Sequence, residues 1–384
     1  MFSVNQVATV LNSAVEEVTG KKPVDGTENL LDLSKVVDNG KLLLESAGDI
    51  DTTYKSLYGR LLSRVTDIII SNRKYTAGNG LMTDYRTYGA MVEKIYFDPI
   101  TAQDSAIWNL QNGKSIDPFI ISAPETQTKV YSARNSWQIP YTISTSQIKA
   151  AVSNDNEVMT FINGIALVAE NSMEMQIETL KNQARNNFIA ERINENNNIR
   201  VIKLLTEYNN LNGTSLTVNT ALTDENFLRY ASFKIRTTLD YFKKMTTLFS
   251  ANGQYHFTPE EDLRLTILSY FNTSIETYLQ STSYNDALVK LKGYDTVPYW
   301  QGTGETLEFS DVSRINVKTA SGIDVEASGI VGIAHDIDAI GVTIWNNNVT
   351  SQYNGRGNYT NYWINLEVGL YNDLNENGAV FQLA

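Results

Sequence analysis

Apolar residues recur in steps of three and four between Asn154 and about Ile193, at Val158, Ile162, Ile165, Ala169, Met173, Ile177, Leu180, Ala184 and Phe188. That spacing places them all on one face of a helix. Asn154 with Glu157 three residues on reads as a capping box, and the run Asn194 to Asn198 reads as the stop. A helix of this length spans about 60 Å at 1.5 Å per residue. Such a rod outruns a compact domain, so it predicts a spine along an elongated subunit. The opposite face, with Glu170, Glu174, Glu178, Lys181 and Arg185, reads as solvated.

The pattern before the rod divides in two. Residues 4–18 predict a short amphipathic helix (Val4, Val7, Leu11, Val15 and Val18), followed by further helices from Thr27 to Asn39 and from about Thr53 to Asn72. From Val92 to Ser144 the pattern becomes β-like. Met91 to Phe97 and Thr128 to Ile143 are rich in β-branched and aromatic residues, and between them lie the turn formers Asp98-Pro99, Asn112-Gly113, Asp117-Pro118 and Ala123-Pro124. Together these predict a long projecting hairpin. A two-stranded ribbon is marginal in water, yet this one carries Ile107, Trp108, Leu110, Phe119, Ile120, Ile121 and Trp137. A thin arm cannot bury those side chains against itself, so the expectation is that another subunit does. Trp108, Leu110, Phe119, Ile121 and Trp137 are the candidate inter-subunit contacts.

After the rod, residues 199–320 predict an α/β body. Ile199 to Glu207 is a strand or a short helix. Thr223 to about Phe249 is a helix, with Phe227, Ala231, Ile235, Leu239 and Phe242 in register. Thr258-Pro259-Glu260-Glu261 has the form of a helix start, with Thr as cap, Pro in the first turn and Glu closing the box, and predicts a helix running to about Leu279. Lys292 to Tyr299 reads as a strand. Toward the end of the chain, Ile330 to Ala334, Ala339 to Trp345, Asn361 to Tyr371 and Gly378 to Leu383 alternate or run apolar over strand lengths.

Composition narrows the function classes. With 384 residues, 42% hydrophobic and 19% charged, the chain is that of a folded protein of two or three domains. A net charge of −12 argues against a broad basic face for nucleic acid. The absence of cysteine excludes disulfides and thiolate sites. Met1 to Gly20 lacks the form of a signal peptide, and no apolar run is long enough for a membrane span.

The order of elements resembles the major capsid proteins of tailed bacteriophages, which have the Hong Kong 97 fold. The likeness lies in Gln127 to Ile177, where a hairpin return strand and the segment Tyr141-Thr142-Ile143-Ser144-Thr145-Ser146-Gln147-Ile148 lead into the long helix. It lies also in Ile330 to Leu383, where His335-Asp336-Ile337-Asp338-Ala339-Ile340 precedes one strand and Gly369-Leu370-Tyr371 precedes a last one, Ala379-Val380-Phe381. The resemblance implies an α+β, Hong Kong 97-like fold. Its parts are a helical N-terminal arm over 1–94, an extended hairpin (E-loop) over 95–140, a peripheral domain of 141–198 with 321–384 holding the spine helix, and an axial domain over 199–320. It implies a structural protein that self-assembles as hexamers and pentamers into the icosahedral head of a tailed phage around double-stranded DNA, without sequence-specific DNA binding. It also implies scaffold, portal and decoration proteins as partners, assembly in the host cytoplasm, no membrane and no cofactor. The isopeptide cross-link and cleaved scaffolding segment of some members are not carried over; Lys114 and Lys129 read as ordinary exposed lysines. An encapsulin-like compartment shell and a glycan-binding or adhesion protein are the alternatives.

Enzyme chemistry has little to stand on. The chain has two histidines, His256 and His335, and no nucleophile elbow, phosphate loop or HExxH pattern, so no catalytic residue is assigned. His335-Asp336-x-Asp338 reads as a loop with solvated acids, and Asp373-x-Asn375-x-Asn377-Gly378 as a tight turn between strands, although it matches the first half of an EF-hand loop. No metal ligand is assigned. Tyr353, Tyr359, Tyr362 and Trp363, set among Asn and Gly, suit a glycan-binding surface, but read better as an interface or a core edge.

Overall fold

The computed structural model describes residues 82–86, 92–97, 111–113, 126–144, 146, 155–280, 294–301, 306–319 and 322–384. The helices expected before residue 73, and Trp108, Leu110, Phe119 and Ile121, lie outside the described residues.

In chain order the elements are β1 (Met82–Arg86), β2 (Val92–Phe97), β3 (Thr126–Tyr131), β4 (Asn135–Ser144), α1 (Asp155–Asn194), β5 (Val201–Lys203), α2 (Leu204–Asn212), α3 (Glu225–Phe242), β6 (Leu263–Leu268), α4 (Ser269–Gln280), β7 (Tyr294–Val297), β8 (Ile315–Lys318), β9 (Asp324–Ala327), β10 (Ile330–Asp336), β11 (Ile340–Asn354), β12 (Tyr359–Asn372) and β13 (Gly378–Gln382). They form a four-stranded sheet of order β1-β11-β12-β4, a five-stranded sheet of order β5-β13-β10-β6-β7, and two two-stranded ribbons, β2-β3 and β8-β9. Strands from either side of residue 320 thus share the five-stranded sheet.

The rod forms where its spacing says, with 40 residues in α1. Met173, Ile177, Leu180, Ala184 and Phe188 are all buried. Asn196 ends it in the left-handed region, which Asn tolerates better than most residues. The expected solvated face is corrected in its second half. Glu174 and Glu178 are exposed, but Lys181 and Arg185 are buried. The reason is a second covering layer: α1 packs on β11 and β12 of one sheet, on β13 of the other, and on the β8-β9 ribbon. A helix enclosed on two sides buries residues on both, so its polar groups find partners there. Asn186 Nδ2 donates to Trp300 O at 3.0 Å, and Arg192, fully buried, pairs with Glu195 at 3.2 Å.

Two further expectations are corrected. Thr258 does not cap a helix. The Pro259 carbonyl closes a single turn by accepting from Asp262 N and Leu263 N, and the chain then enters β6. Leu-Arg-Leu-Thr-Ile-Leu lies between β10 and β7 in the sheet, and ladder hydrogen bonds on both sides outweigh a local capping signal. The expected return strand from Thr128 to Ile143 is two strands. β3 pairs with β2 from Val92 opposite Tyr131 to Phe97 opposite Thr126, and β4 leaves the ribbon to pair with β12. Trp137, on β4 opposite Leu366, is therefore half-buried against its own chain's core and does not ride on a thin arm.

Candidate functional site: the root of the β2-β3 ribbon

Period-two alternation decides what each face of the ribbon carries. Ile95 and Val130 point outward and are about half exposed, at 55% and 50%. Lys94, Tyr96, Lys129 and Tyr131 face the body. There they meet the turn between β12 and β13, residues 373–377, which sequence reasoning treats as an ordinary strand connection. The turn is buried, with Asp373 and Asn377 fully enclosed.

Asp373 is the hub. Its backbone N–H donates to Ala339 O at 2.7 Å, and its Oδ1 accepts from Asn375 N at 3.1 Å, an Asx turn that fixes the carboxylate. Lys129 Nζ lies 3.1 Å from Oδ1 and Lys94 Nζ 3.4 Å from Oδ2, which also accepts from the Tyr96 hydroxyl. Glu376 lies 3.7 Å from Lys94 Nζ and 3.4 Å from His256 Nδ1, while its carbonyl accepts from Arg192 Nη2 at 2.8 Å. Lys94 also donates to Asp338 O. Tyr131 stacks at a tilt on Tyr371, centroids 5.1 Å apart, and Tyr96 meets His256 edge-on at 5.5 Å. Burial raises the Asp373 carboxyl above its usual range despite Lys94, and lowers Lys129. Lys129 is thus a tethered lysine, not the ordinary exposed one expected from sequence.

The other candidates resolve as follows. His335 and Asp336 end β10 and are both buried, which corrects the solvated loop: the strand runs two residues past Ala334. Burial lowers His335 to about 4, and its Nδ1 lies 2.7 Å from Asp336 O. Among the described residues, no group of three or more His, Cys, Asp or Glu side chains converges to hold a metal ion. Tyr362 is buried in the core, while Tyr353 and Tyr359 bond to Asn358 and Asn354 at the far end of the β11-β12 hairpin. The cavity of about 380 Å³ between α1 and β7 is lined by Glu178, Asn182, Arg185 and Tyr294 to Tyr299.

The site is therefore a mechanical seat, built to fix a two-stranded ribbon to a body by charge. Comparison with known proteins gives the body its family. The family model for the Phi29-like phage major capsid protein matches residues 11–382, nearly the whole chain. The chain belongs to the Phi29-like phage major capsid protein family. It is a structural protein of the phage head shell, and shell proteins of this kind work as oligomers. Among solved structures, a chain in the capsid structure of Staphylococcus phage Andhra aligns with a TM-score of 0.52 at 8% identity, covering 81% of this capsid protein and 84% of that chain. A chain in the structure of the head fiber and inner core protein gp22 of native bacteriophage P68 aligns with a TM-score of 0.52 at 9% identity, covering 79% and 83%. At such identities the likeness is one of fold: a mixed α/β fold similar to phage capsid proteins. No curated protein sequence matches. Among the described residues, no helix is long and apolar enough to cross a membrane.

Proposed function

We propose that this capsid protein closes into an icosahedral head of hexamers and pentamers around double-stranded DNA, with the Hong Kong 97 arrangement of parts. In this reading the E-loop lies within 95–140, its return strand β4 joining the body from Asn135; α1 is the spine of a peripheral part of 141–198 with 321–384, which the five-stranded sheet joins to the part toward the capsomer axis, 199–320; and 1–94 is the N-terminal arm. The observation that carries the reading is the family match over residues 11–382. The ribbon's outward apolar face supports it, since Ile95 and Val130 are about half exposed there. The body adds exposed Phe233, Tyr241, Met245 and Phe257, large apolar side chains that contact with a neighbouring copy would bury.

Neighbouring copies cover these surfaces. Trp108, Leu110, Phe119 and Ile121, together with the open side of Trp137, are the proposed contacts on the ribbon and its return. Each contact is modest, but a subunit making several gains avidity, and closed symmetry repeats the same complementary pair. A net charge of −12 suits a wall that does not grip phosphates while the genome enters. Scaffold, portal and decoration proteins are the heterologous partners of such a shell, assembled in the host cytoplasm. Deleting Ser105 to Glu125 is expected to leave the body folded by circular dichroism and to abolish particles in light scattering. Particles that persist after the deletion would refute the role given to the ribbon.

A further inference from the structure

Lys94 and Lys129 stand directly opposite each other across the β2-β3 ladder. Like charges in that position repel, so a ribbon carrying them needs an anion beneath both. Asp373 fills that place, within 3.4 Å of each ammonium. Glu376 is a second carboxylate in the same enclosure. Asp336, buried at the end of β10, is a third, while Asp338 just after it is exposed and meets Lys94 through its backbone carbonyl; all three aspartates act on Glu376.

The charges facing this group come from every side. The ribbon brings its two lysines. The segment before β6 brings His256. Helix α1 brings Arg192, which pairs with Glu195, donates from Nη2 to the Glu376 carbonyl, and opposes the charge on Lys129. Tyr96, Tyr131 and Tyr371 close the remaining walls. With Glu376 neutral, Asp373 is left to bridge both lysines. With Glu376 ionised, the acids of this enclosure outnumber the lysines, and a further charge sits where little water reaches.

We propose that the ribbon root is a proton-gated joint: a protonated Glu376 keeps the β2-β3 ribbon seated on the body, and an ionised Glu376 loosens the seat by drawing in water. Burial, opposed by Lys94 and reinforced by Asp336, Asp373 and Asp338, holds Glu376 at about 7, which sets the gate near neutral pH. A carboxyl raised in this way stabilises the seated state fully below its free value of 4.5, and the contribution is lost as the pH rises through about 7. The joint belongs to a single copy, so it does not depend on how shells close.

Hydrogen–deuterium exchange of the dispersed full chain tests this, with rates corrected for the intrinsic effect of pH. A ribbon off its seat is an isolated hairpin and loses protection. Amides of 92–97 and 126–131 are expected to lose about tenfold in protection between pH 5.5 and 8.5, with a midpoint near 7, while those of β6 and β10 stay protected. Glu376→Gln is expected to hold the ribbon protected across the range, and His256→Gln to leave the midpoint in place. A flat wild-type profile overturns the proposal, whether or not the variants fold. So does a midpoint that survives in E376Q or vanishes only in H256Q.

Discussion

His335 has no exposed surface and lies near Arg185 and Arg264, so a charge on it is opposed by both burial and its neighbours. The unfolded chain takes up a proton below about 6.5, while the folded chain resists until about 4. Its contribution is therefore complete above pH 6.5 and falls away as the pH drops toward 4, by about 3 kcal/mol in all. Urea unfolding at pH 7 and pH 4.5 should show this loss in the wild type and a smaller one in His335→Gln; an equal loss in both would contradict the assignment. Sequence alone does not reveal this residue's state. His335-Asp336-Ile337-Asp338 reads as a polar interruption between apolar runs, and nothing local tells that the strand continues through its first two residues. Lys181 and Arg185 mislead for a related reason. A helical wheel registers one buried face, and α1 acquires a second from strands far along the chain.

At the scale of elements, what was legible was what is local. The spacing of three and four marks α1 to within a residue at each end, and three of the four strands expected in the last 55 residues fall close to their apolar runs, because period and burial agree; the fourth, β11, runs nine residues past the expected Trp345, to Asn354. Asp224, whose side chain accepts from Phe227 N at 2.7 Å, starts α3 one residue after the expected Thr223. What was not legible was pairing. The Thr258 segment has every local mark of a helix, yet β6 is a strand because β10 and β7 lie on either side of it. Thr258 serves that arrangement instead: buried, its Oγ1 accepts from Asn377 Nδ2 at 3.1 Å, in the same turn that carries Asp373. Thr258→Ala should cost about 1–3 kcal/mol by leaving Asn377 short of a partner, and Thr258→Ser should recover most of it. Denaturant midpoints check this; an alanine variant as stable as the wild type would contradict it. The ribbon root was hidden for the same reason. Lys94, Lys129 and Asp373 are separated by up to 279 positions, and only the β2-β3 register brings the two lysines over one acid.

For the whole molecule, the sheets, the helix between them and the ribbon make a body with a charged seat for one thin limb. The limb's inner face is satisfied by its own chain, and its outer face is not. Ile95, Val130, Tyr241 and Phe257 are about half exposed in the single chain, and in the proposed shell neighbouring copies would cover them, using the same contacts many times. Electron microscopy of the purified, assembled protein is the most direct measurement. The account predicts closed isometric particles in which the β2-β3 ribbon of each copy lies against a neighbour; single subunits at every concentration and salt, or particles with ribbons touching only their own body, would contradict it.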